Sequence, residues 1–82
     1  MSMTIKLNKF GKTFNSRMSA DTIFNKVVDF DSIIVDFQGI DDATPSFCHE
    51  MMVVLQAKKI KLETINANES IKLQLNKALS SI

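Results

Sequence analysis

The apolar positions of the chain fall into short runs whose spacing switches between the two-residue period of a strand and the three-to-four-residue period of a helix. From Met3 to Leu7 the order Met, Thr, Ile, Lys, Leu alternates like a half-buried strand. Asn8 to Gly11 can turn it into a second short strand around Thr13 and Phe14, which predicts an N-terminal hairpin. Ser16 or Ser19 then caps a helix whose Ala20, Ile23, Phe24, Val27 and Val28 form one buried stripe, with Arg17 exposed at its start. A turn over Asp29 to Asp31 leads into Ile33, Ile34 and Val35, consecutive and β-branched, which suits a central strand covered on both faces.

The run from Ser32 to Glu50 is the most telling stretch. Gly39, Asp41 and Asp42 end the strand, and Thr44 followed by Pro45 reads as an N-cap with proline at the first helical position, where its missing N–H costs nothing. The helix that follows, about Pro45 to Lys58, carries Phe47, Met51, Val54 and Leu55 on one face, widened by Cys48 and Met52. Lys58 and Lys59 close it, and Ile60, Leu62 and Ile65 begin another strand. Asn66 to Glu69 has the form of a capping box for a last helix with Ile71, Leu75, Ala78, Leu79 and Ile82 in its apolar stripe and Lys72, Gln74, Asn76 and Lys77 in solvent. The order is β-β-α-β-α-β-α. It predicts a small layered α/β domain, with a mixed sheet of about four strands and helices packed on it. The junction after the central strand lies where open α/β sheets place their binding sites.

With 82 residues there is room for a single domain, residues 1–82, and a chain this short buries only about 60–65% of its extended surface. Hydrophobic residues at 45% and charged residues at 23% are globular values. A net charge of +1 with scattered lysines leaves no footprint for nucleic acid or an anionic membrane. No segment reaches the roughly 20 apolar residues of a membrane span, and the N-terminus lacks a signal-like apolar region, so a cytoplasmic protein is expected. Cys48, the single cysteine, excludes an internal disulfide.

Cys48, His49 and Glu50 have the residue types of nucleophile, base and metal ligand, yet adjacent helical side chains point about 100° apart and cannot converge on one atom. Cys48 is expected to be a small buried residue and His49 a surface one, with no metal and no cofactor bound. Asp36, Asp41 and Asp42 read as loop carboxylates, Asp36 holding the following loop through its backbone amides. Core filling accounts for most of the five methionines; Phe47, Met51 and Met52 are the candidates for any apolar docking surface. Asn66 and Asn68 fall at the same sheet end as Thr44 and Ser46, either to complete a patch with them or to cap the last helix.

Three segments, GKTFNSRMSA, IIVDFQGIDDATPSFCHEM and INANESIKLQL, resemble the STAS-like family of small bacterial domains of unknown function, relatives of the anti-sigma factor antagonists. The resemblance runs nearly end to end. It rests on Ser16-Arg17, on Asp36-Phe37-Gln38-Gly39-Ile40, on Ser46-Phe47-Cys48-His49-Glu50 and on Asn66-Ala67-Asn68, in that order. It implies a non-enzymatic signalling module that binds a partner protein, often a histidine-kinase-like ATPase. Partner contacts are then expected from Gly39, Asp41, Asp42, Thr44, Pro45, Ser46, Phe47, Asn66 and Asn68. True antagonists are phosphorylated within an Asp-Ser-Ser-Gly motif; here Thr44, Pro45, Ser46 and Phe47 stand in its place, and the modified serine falls on Pro45. Thr44 and Ser46 are the remaining candidates for phosphate, although a first-turn serine is also simply a good helix-start residue. Two alternatives stand beside this reading: a nucleotide or other small anion at the helix start near Pro45, and assembly of a homodimer.

Overall fold

Leu7 decides the course of the N-terminal segment. After strand β1 (Ser2–Lys6) the chain winds into a single 3-10 turn, Leu7–Lys9, which carries the Leu7 side chain fully into the core. The computed structural model, which describes residues 2–14, 16–28 and 30–80, therefore shows no N-terminal hairpin. Instead β2 (Thr13–Phe14) pairs in parallel with β4 (Asp42–Ala43), a short strand that the sequence pattern did not indicate. β1 pairs in parallel with β3 (Ser32–Asp36), and β3 with β5 (Lys61–Ile65). The expected mixed sheet is thus two parallel sheets, one of three strands in the order β1-β3-β5 and one of two. Alternation identifies a strand but not its neighbour. Asp29 of the predicted turn, Ile82 of the predicted last stripe, Met1 and Asn15 lie outside the described residues.

Three helices complete the domain: α1 (Arg17–Phe24), α2 (Pro45–Ala57) and α3 (Glu69–Ser80), with α2 packed between the other two. Ser16 caps α1, its Oγ accepting the Ser19 N–H at 3.2 Å. α1 stops at Phe24, so of the predicted stripe Val27 is still buried but Val28 is 55% exposed. On α2, Phe47, Cys48, Met51 and Leu55 face the core, with Met52 and Val54 half-buried beside them. α2 ends in a Schellman motif: the Ile60 N–H reaches the Leu55 carbonyl at 2.9 Å and the Lys59 N–H the Gln56 carbonyl at 3.0 Å, with Lys59 at φ +60° in the position usually given to glycine.

The helices lie over one face of the larger sheet. Ile33 and Val35 are fully buried and Ile5 nearly so, while Ile34, which points to the other face, is half-buried and outside the core cluster. On that second face Thr4, Lys6, Lys61, Glu63 and Ile65 are exposed. The central strand is therefore covered on one face, and the run of three β-branched residues reflects β-propensity at Ile34 more than burial.

Candidate functional site

Past β3 the chain makes a tight turn from Phe37 to Ile40, closed by the Ile40 N–H on the Phe37 carbonyl at 3.0 Å. Gly39 takes φ +78° at the third turn position while Gln38 keeps a negative φ, the type II arrangement that calls for glycine there. The Asp41 N–H then meets the Lys12 carbonyl at 2.8 Å, β4 follows, and the Thr44 N–H bonds the Phe14 carbonyl at 2.9 Å. Thr44 is the N-cap of α2, its Oγ1 accepting the Phe47 N–H at 3.3 Å, and Pro45 occupies the first helical position. The strand–loop–helix junction expected from the sequence is present.

Asp36 holds the base of the loop. Its Oδ1 accepts the Gln38 N–H at 2.9 Å and the Asn66 side-chain amide at 3.0 Å. These hydrogen bonds, the Asn66 one foremost, keep its carboxyl below the ordinary 3.8 against the opposing effect of burial, with Lys6 adding a favourable charge. A depressed folded-state value means that this stabilisation is present above about pH 4 and is lost as pH falls through the folded value. Asp36→Ala is accordingly expected to melt below wild type at neutral pH and to approach it in acid, as thermal melts across that range would read.

Asn66 sits at φ +60°, a conformation asparagine tolerates better than other non-glycine residues. With its side chain committed to Asp36 it does not cap α3. The cap is Asn68, whose Oδ1 accepts the Ile71 N–H at 2.8 Å and whose amide reaches the Ile40 carbonyl at 3.5 Å. The expected Asn66–Glu69 box is therefore absent: the cap stands two residues later, and Ile71, three residues beyond it, has no side-chain acceptor to complete a box.

Of the residues expected to meet a partner, Gly39, Asp41, Asp42, Pro45, Ser46, Asn66 and Asn68 are exposed and Thr44 is half-buried. Phe47 is not at the surface. It has no exposed area, and its ring lies 4.9 Å from that of Phe14 and 6.2 Å from that of Phe24. Met51 is fully buried and Met52 half-buried. Cys48 is buried as expected, and burial first, then the Asp42 charge, pushes its thiol up to about 11, so it is a neutral core group. Among the described residues no group of three His, Cys, Asp or Glu side chains could hold a metal ion, and no helix is long and apolar enough to cross a membrane.

Beside the first turn of α2 lies a depression of about 210 Å³ lined by Arg17, Pro45, Ser46, His49, Lys77 and Ala78. It joins α1, α2 and α3, and three of its residues carry basic side chains. Arg17 and Lys77 are 60 residues apart, and no local signal could have placed them together. Next to it the Glu50 carboxyl is raised by its hydrogen bond to Asp21, by burial and by the Asp21 charge, with Arg17 and His49 opposing.

These features define a small parallel α/β domain with its helices on one face of the larger sheet and a pinned loop–helix corner at the strand ends. The chain belongs to the STAS-like domains of unknown function, whose family model matches residues 19–72. The match takes in the central strand, the corner, α2 and the Asn66–Asn68 turn, and begins after Ser16-Arg17, so the family likeness is shorter than the near end-to-end one read from the motifs. No curated protein and no solved structure matches the chain.

Proposed function

We propose that the domain is a non-enzymatic interaction module whose partner protein docks on the rim formed by residues 39–46, the start of α2 and the Asn66–Asn68 turn. One observation carries this reading: the exposed rim residues stand on a backbone fixed from beneath by the Asp36 bonds to Gln38 and Asn66 and by the Asn68 bonds to Ile71 and Ile40. A surface already ordered before contact loses little conformational entropy on binding, which favours recognition. The neutral buried thiol of Cys48 fits a domain that performs no covalent chemistry. The resemblance of the sequence motifs to anti-sigma factor antagonists is what points to a regulatory ATPase of the histidine-kinase type as the partner. Ser46, exposed in the first turn of α2, is the better candidate for a phosphate switch, because the Thr44 hydroxyl is already used as the helix cap.

Ser46→Arg places a long charged side chain on the rim at an exposed position, and far-UV circular dichroism is expected to show the fold retained. Affinity capture from native cells followed by calorimetry on the captured protein is expected to show binding weakened at least about tenfold by this change. A regulator bound equally by both forms overturns the proposal.

The depression beside Ser46 favours a second reading, in which a small anion binds among Arg17, His49 and Lys77 at the α2 N-terminus. Thermal melts with phosphate and with nucleotides separate the two, since a ligand well above its dissociation constant raises the melting temperature. Unchanged melting retires the anion reading.

A further inference from the structure

Strand β1 is one edge of the three-stranded sheet, and among the described residues it pairs only with β3. Alternate backbone N–H and C=O groups of an edge strand point outward and form a template for another chain. Alongside this edge, between β1 and the segment after α1, runs a groove of about 460 Å³. Its lining includes Phe10, Val28 and Phe30 together with the exposed Lys9 and Lys26, while Lys6, on the open face of β1, stands at its border. Among the described lining residues there is no carboxylate.

Edge lysines often serve only to repel other strands. That role does not account for Phe10 at 57% and Val28 at 55% exposure beside them, since apolar side chains at an edge invite pairing. Phe10 also borders a second depression on the outer side of α1, next to Met18, itself 77% exposed, so the apolar surface continues past the groove.

From the unpaired edge, the apolar groove and the cationic lining taken together, we infer that β1 accepts an extended, acidic and apolar segment of a partner protein as an additional strand. Five residues of β1 span about 17 Å, enough for a peptide of similar length. Main-chain hydrogen bonds to β1 supply a generic part of the affinity. Side chains alternate along the added strand, so apolar residues at every second position enter the groove. Acidic residues on the segment meet Lys9 and Lys26. This goes beyond the rim reading and does not depend on it.

The test uses the full chain and a dye-labelled seven-residue peptide alternating glutamate with valine or isoleucine, followed by fluorescence anisotropy. Saturable binding is expected, weakening as salt is added and falling at least about tenfold in the exposed double variant Lys9→Glu, Lys26→Glu. Peptides N-methylated at alternate amides are expected to bind in one methylation register and fail in the other, because only one set of amides faces β1. Slowed hydrogen exchange of the β1 amides on peptide addition gives a readout independent of the variants.

Equal binding of a lysine-for-glutamate peptide overturns the proposal, as does indifference to both N-methylation registers. Absence of saturation by about 1 mM peptide overturns it too. So does a concentration-dependent dimer that competes with the peptide, which gives the edge to a second copy. Lysine-dependent binding to phosphatidylserine vesicles without peptide binding assigns the groove to a lipid surface and also overturns it.

Discussion

Replacing Phe47 with alanine is expected to cost about 3–5 kcal/mol, the range for removing a fully buried aromatic side chain. Phe47 has no exposed surface and its ring touches the ring of Phe14 from β2 and that of Phe24 from α1, so one side chain joins both ends of the N-terminal region to α2. Truncation leaves a cavity that three separate elements would have to collapse into, and backbone held by sheet and helix bonds moves little. A chain of 82 residues has a total stability on the order of 4–12 kcal/mol, so the variant sits near the folding limit. Urea unfolding should show a much lower midpoint with an unchanged slope, and a stability within about 1 kcal/mol of wild type is incompatible with Phe47 as the aromatic centre. The same result bears on function: a partner that stops binding Phe47→Ala reports the collapse of the corner, not a lost contact, because this side chain has no surface to offer.

The second large effect is a contrast between neighbours. Ile33→Ala is expected to cost about 2–5 kcal/mol, whereas Ile34→Ala should cost about 1 kcal/mol or less. Ile33 is fully buried under the helices, in register with Met3 on one side and Leu62 on the other. Ile34 points to the open face between Thr4 and Glu63, both exposed. Thermal or urea unfolding of the two variants reads the difference directly. Comparable losses at both positions would mean that something covers the second face in solution, and sedimentation of the wild type would then show a dimer or larger species. All-parallel sheets usually have both faces covered, so this outcome has a clear physical meaning.

Much of the domain was legible in its residues because the governing signals are local. Ser16 and Thr44 mark their helix starts through hydrogen bonds that span three residues, Pro45 marks one by its missing N–H and fixed φ, and the Phe47–Leu55 stripe follows from helical period. Asp36 was readable as a loop holder because its nearer acceptor contact, with the Gln38 amide, is two residues away. Its other partner was not readable. Asn66 lies 30 residues further on, and within its own segment it looks like a cap, since nothing local distinguishes it from Asn68. The N-terminal pairing failed for the same reason: a turn-like Asn8–Gly11 stretch suggested a hairpin, but β1 gains its partner through a crossover, and the 3-10 turn that follows it carries the buried Leu7.

The sequence by itself determined the three helices, the caps of the first two and most of their inward stripes, the central strand, and the glycine turn and threonine–proline corner that follow it, because these depend on backbone propensity and contacts within a few residues. The tertiary structure alone decided that both sheets are parallel, that Ile34 looks outward, that Asn66 joins Asp36, and that Arg17, His49 and Lys77 line one depression. Each of these depends on which distant segments pack together. Packing is settled by the burial of the whole apolar set at once, a quantity that no single stretch of the chain contains.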